Sequence, residues 1–88
     1  MTKLNEMWAA LAAYQPQADA AGHGKSWARM CGEKTVDAAC AATAAAKFSN
    51  AADAADCAAY AVRSPDAAAE MWAQMAVNRI NKAMEKNT

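Results

Sequence analysis

The chain has 88 residues, about a third of them alanine, with nine basic and nine acidic side chains that cancel to a formal net charge of zero and a mean hydropathy of −0.20. Balanced charge supplies neither the positive field that concentrates nucleic acid nor the negative field of a DNA mimic, so direct nucleic-acid binding is not expected. No apolar run approaches the roughly 18 residues of a membrane span, because Lys47, Asp53 and Asp56 interrupt the longest alanine tract, and no membrane partner is expected.

Alanine has the highest helix propensity, since it orders no side-chain rotamer and offers no polar group to compete with the backbone. The expected fold is therefore all-α, a compact bundle of about five short alanine-rich helices forming a single domain over residues 1–88. The first helix is predicted from near Thr2 to before Pro16, because Leu4, Met7, Trp8 and Leu11 follow the i, i+3, i+4, i+7 spacing of one buried face. Proline disfavours the helical region for Gln15, and the stretch from Pro16 to Gly24, with Gly22-His23-Gly24, reads as a flexible polar connection. A short second helix carries Trp27, Met30 and Cys31, with Ser26 or Asp19 as its cap and Gly32 in a left-handed position at its end.

Thr35 then reads as an N-cap, with Asp37 in the first turn where the helix dipole favours negative charge, and a third helix runs to about Phe48. Ser49 or Asn50 caps a fourth helix that ends near Val62, with Asp53 in the position of a capping-box acid and Arg63 in the closing turn. Ser64-Pro65-Asp66 is the clearest helix start in the chain, joining a capping serine, a proline where no donor is lost, and a dipole-matched aspartate. A fifth helix continues from there to about Met84. Asp37-Ala38-Ala39 and Asp53-Ala54-Ala55 open similar tracts that close with Lys47 and Arg63, a faint repeat of two units where a solenoid needs three or more.

The large side chains gather at the two ends of the sequence, so the first and last helices are expected to pack together, with Trp27, Met30, Val36, Phe48 and Tyr60 filling gaps around the alanine helices. Trp8 and Trp72 are expected in that core. In the last helix the apolar residues spread around more of the circumference than one contact stripe needs. The surplus must meet two neighbouring helices or another chain.

Chemistry-bearing residues are few. His23 with Cys31, Cys40 and Cys57 could nominally hold zinc, but no Cys-x-x-Cys pair exists, and Cys40 and Cys57 fall in predicted helices where a thiol packs like alanine. An odd number of thiols and the absence of a secretory pattern in Met1-Thr2-Lys3-Leu4-Asn5-Glu6 point to reduced cysteines and a cytoplasmic location. A cysteine nucleophile served by His23 lacks an activating neighbour, and Asp53 and Asp56, three residues apart, read as a solvated face. Gly22-His23-Gly24-Lys25-Ser26 resembles the end of a phosphate-binding loop but lacks its first glycine and a preceding strand. No catalytic residue, metal or cofactor is expected, and the chain is read as a non-enzyme.

Lys3-Leu4-Asn5-Glu6-Met7-Trp8-Ala9-Ala10-Leu11, Ser26-Trp27-Ala28-Arg29-Met30 and Met71-Trp72-Ala73-Gln74-Met75-Ala76-Val77-Asn78-Arg79-Ile80, the last after an alanine tract, resemble the small alanine-rich accessory proteins of tailed bacteriophages. The resemblance implies a product of the host cytoplasm, in a class that includes inhibitors of host enzymes and of defence systems such as CRISPR. It implies no catalytic residue. The expected function is stoichiometric binding and inhibition of a host protein, with Met71, Trp72 and Met75 rimmed by Gln74, Asn78 and Arg79 as the candidate interface. The alternative is a self-assembling structural protein whose same surface forms a homodimer.

Overall fold

The computed structural model describes residues 2–47 and 49–85. Among them the chain is helical throughout, in six helices: α1 (Thr2–Ala13), α2 (Gln15–Ala21), α3 (Gly24–Glu33), α4 (Val36–Ala46), α5 (Asn50–Arg63) and α6 (Asp66–Glu85). The extra helix relative to the five expected is α2, in the stretch read from sequence as a flexible connection. Pro16 sits in its first turn, where the missing N–H costs no intrahelical bond. Only Tyr14 separates α1 from α2, and its carbonyl accepts from both Gln17 N at 2.9 Å and Ala18 N at 3.0 Å. The glycine at position 22 closes α2 with a left-handed φ of 95°, while Gly22 N donates to Asp19 O and His23 N to Ala18 O. These paired bonds satisfy carbonyls that a helix end otherwise leaves open.

α3 also begins and ends differently from expectation. Neither Ser26 nor Asp19 caps it; His23 occupies the N-cap position and makes no side-chain capping bond. Gly32 stays helical, and Lys34 takes the left-handed position with φ 57° and donates its N–H to Met30 O at 2.8 Å. The hydrogen-bonded ion pair from Arg29 Nε to Glu33 Oε2, 3.0 Å and one turn apart, lies across this last turn and favours its continuation past the glycine. The caps expected at Thr35 and Ser49 form, but the expected Ser64 cap does not: α6 begins at Asp66, so Pro65 rather than Ser64 precedes its first helical residue, and the Pro65 carbonyl accepts from Ala69 N at 2.8 Å. Thr35 Oγ1 accepts from Ala38 N at 3.2 Å and Ser49 Oγ from Ala52 N at 3.1 Å, and Asp37, Asp53 and Asp66 occupy first turns. Phe48, expected at the end of the third predicted helix and in the core, lies outside the described residues.

Each helix packs on its neighbour in sequence from α2 through to α6, and α6 returns to α1. The pairing of the first and last helices is thus as the distribution of large residues suggested. α5 lies between α4 and α6 and is the alanine axis of the molecule: Ala51, Ala52, Ala54, Ala55, Cys57, Ala58, Ala59 and Ala61 are all buried. Methyl-only faces allow helix axes toward the short end of the usual range of about 8–10 Å. The bulky core lies elsewhere, with Trp27, Met7, Leu11, Met30 and Ile80 the largest fully enclosed side chains. Trp27 Nε1 donates to Leu11 O at 2.7 Å, which binds α3 to the end of α1 and satisfies the indole in the interior. The whole measures 34 × 25 × 20 Å.

Candidate functional site

The phase of α6 decides which of its residues face outward. Ala69, Ala73, Ala76, Ile80 and Ala83, at spacings of four, three, four and three, form the buried stripe. The opposite side therefore carries Met71, Gln74, Asn78, Arg79 and Lys82, all exposed. Met71 is 53% exposed and is the one large apolar side chain so placed among the described residues. Met75 and Trp72 lie at the borders of the stripe and are half-buried, packed against the core. Part of the apolar spread in this helix is accounted for by its two neighbours, since α6 contacts both α5 and α1. Met71 is the part that neither neighbour covers.

Polar side chains flank the methionines. Lys3 Nζ donates to Gln74 Oε1 at 2.8 Å, Gln74 Nε2 donates to Asn78 Oδ1 at 2.9 Å, and Lys3 pairs with Glu6 at 3.5 Å. This ladder ties α1 to α6 and fixes the amide orientations beside Met71. Met75, Asn78, Arg79 and Lys82 line an open depression of about 340 Å³. On the α5 side, Trp72 stacks on Tyr60 with ring centres 4.6 Å apart and planes at 23°, and Arg63 lies 4.4 Å from the centre of the Tyr60 ring. Stacked aromatics and a guanidinium over a ring each add a modest attraction. Trp8 is enclosed as expected, whereas Trp72 is only half-buried. Tyr60 and Arg63 were not expected at the candidate interface; the signal was the short Ser64-Pro65 turn, which folds α5 back along α6 and sets residue 60 beside residue 72.

The other chemistry-bearing residues are dispersed. His23, expected on a mobile loop, is 9% exposed and packed between Tyr14 (6.2 Å between ring centres) and Trp27 (5.9 Å), with Nδ1 buried and unpartnered. Two backbone bonds hold it there, His23 N to Ala18 O and Trp27 N to His23 O. The segment from Gly22 to Ser26 lines a depression with Asp19 and Ala45, and it is preceded by helix α2. Gly24 is required for close approach: a Cβ there would meet the Asp19 backbone at 2.9 Å, and Gln15 Nε2 bridges Gly24 O and Asp19 Oδ1.

The cysteines carry free thiols in three environments. Cys57 is buried, as its alanine-like position implied, but Cys40 is exposed on α4, so that expectation fails for it: positions 38, 39 and 42 face inward and turn residue 40 to solvent. Burial raises the Cys57 thiol above its ordinary value, opposed by the nearby Arg79 charge and reinforced by Asp56 and Asp53. Burial also raises the Cys31 thiol, with Lys34 opposing. Among the described residues no three His, Cys, Asp or Glu side chains are placed to hold a metal ion, and no helix is long and apolar enough to cross a membrane. Asp53 and Asp56 are exposed and, with Thr43, Ala44, Lys47 and Ala52, border a shallow depression between α4 and α5.

No protein family matches the chain, and neither a curated protein nor a solved structure matches it.

Proposed function

We propose that the protein is a non-catalytic accessory protein that binds a host protein through the outer face of α6 and inhibits it. The observation that carries this reading is Met71, more than half exposed beside half-buried Met75 and Trp72 and bordered by Gln74, Asn78 and Arg79. Methionine is unbranched and polarisable, so such a patch adapts to a partner's apolar surface, and the fixed Gln74–Asn78 ladder supplies oriented amides at its rim. The sequence resemblance to bacteriophage accessory proteins supports an action in the host cytoplasm, on a host enzyme or on a defence system such as CRISPR.

The test compares the tagged full chain with Met71→Asp in capture from a host lysate, followed by assay of the captured protein. The expected outcome is one stoichiometric partner, lowered in activity by the wild-type chain and lost by the variant, while light scattering finds the free chain monomeric. A stable homodimer that Met71→Asp dissociates would replace this reading with self-assembly. Retention of the partner by Met71→Asp would remove α6 as the contact.

A further inference from the structure

On the outer face of α6 two cations stand one helical turn apart and line the same depression. Arg29 pairs with Glu33 and Lys3 with Glu6, each within its own helix. Arg79 and Lys82, three residues apart and so neighbours on the helix surface, form no ion pair among the described residues. The depression that they line with Met75 and Asn78 includes no carboxylate in its wall. Asp53 and Asp56 of α5 act on the Cys57 thiol together with Arg79, yet neither comes within ion-pairing distance of the guanidinium. Two exposed cations therefore stand side by side next to an apolar strip, with no anion of the described chain between them.

We propose that this depression receives an acidic side chain of the bound protein: the partner presents an Asp or Glu carboxylate to Arg79 and Lys82, and an adjoining apolar side chain to Met75 and Met71. The inference rests on the reading of α6 as a protein-binding face and specifies the chemistry of its partner. The guanidinium offers a planar fork of donors matched to a carboxylate, and the ammonium adds a mobile second charge. The neighbouring thioethers accept an aliphatic or aromatic group without a fixed shape. A nucleic-acid backbone fits less well, because phosphate tracking requires a longer row of cations than these two and the chain as a whole carries no net charge.

The experiment uses the full chain labelled with ¹⁵N and with ¹³C in the methionine methyls. It is titrated separately with a terminally blocked peptide of repeated Glu-Leu-Leu-Glu, the same peptide with lysine for glutamate, and an oligothymidylate. The glutamate peptide is expected to shift, saturably, the amide signals of Met75, Asn78, Arg79 and Lys82 and the methyl signals of Met71 and Met75. The double variant Arg79→Glu with Lys82→Glu weakens that peptide roughly tenfold and gains affinity for the lysine peptide. No binding of the glutamate peptide, equal binding of the two peptides, shifts on another face, or tighter binding of the oligothymidylate at these residues would each overturn the inference. The host-lysate capture separates the two levels. A partner lost on Met71→Asp but kept by the double variant leaves protein binding in place and removes the acidic contact.

Discussion

The corner built by α1, α2 and α3 and the layer built by α4, α5 and α6 are held together by opposite means. In the corner a few large groups fill the space: Trp27, Met7, Leu11 and Met30 are fully enclosed, and directed bonds from Trp27 to Leu11 O and from Gln15 to Gly24 O fix the helices against one another. In the layer the buried surface is almost wholly alanine, and each methyl removes little area from water. Its cohesion comes from backbones brought near enough for many weak dispersion contacts. The corner should therefore fail when a side chain is removed, and the layer when one is added.

The largest effect is expected in the corner. Trp27→Ala should lose about 3–5 kcal/mol in denaturant unfolding, since it empties a large site and leaves the Leu11 carbonyl without its indole donor. A loss under about 1 kcal/mol would show that the corner is not anchored there. In the layer, Ala58→Leu should cost about 1–3 kcal/mol by forcing the helices apart, whereas the same change at exposed Ala44 should fall within about 0.5 kcal/mol. Equal effects at the two positions would refute close packing as the source of stability. At the boundary of the two regions, Lys34→Gly should raise stability by about 1 kcal/mol, because the left-handed backbone there is strained for lysine and not for glycine.

The smallest effect is a dependence on alkaline pH. The Cys57 thiol is raised on folding, so the native state holds its proton over a range in which the unfolded chain releases it. The stabilisation is complete below the thiol's ordinary value near 9 and is lost as pH rises through the higher folded value. Cys31 contributes in the same direction. Unfolding free energy should fall with pH above about 9 and fall less steeply in Cys57→Ala; an unchanged slope would show that the buried thiol titrates as it does in the unfolded chain.

The layer was far more legible in the sequence than the corner. Its helices are bounded by local chemistry: Thr35 and Ser49 each accept a backbone N–H three residues on, and α6 starts at Asp66 directly after Pro65, one residue later than the capping serine implied. The corner depends on contacts that local rules oppose. Pro16 read as a break because its effect on Gln15 outweighs its fitness for a first turn until Tyr14 is seen turning the chain. His23 read as mobile because two glycines flank it, although one of them closes α2 and the other lets α3 approach Asp19. At the candidate site the outward position of Met71 follows from helix phase alone. Tyr60 and Arg63 join it only through the pairing of α5 with α6, which no spacing within either helix encodes.

The junction of α1 with α6, marked by the Lys3–Gln74 bond, gives assembly a definite order. During synthesis α6 emerges after the other five helices, so the face of α1 that packs on it and the methyl face of α5 wait for their cover until it arrives. The nascent chain is consequently greasy on two sides until α6 arrives, and closure brings together residues far apart in sequence, a slow kind of step for a small helical protein. Mutations that weaken α6 should therefore reduce soluble yield in cells before they change any measured affinity.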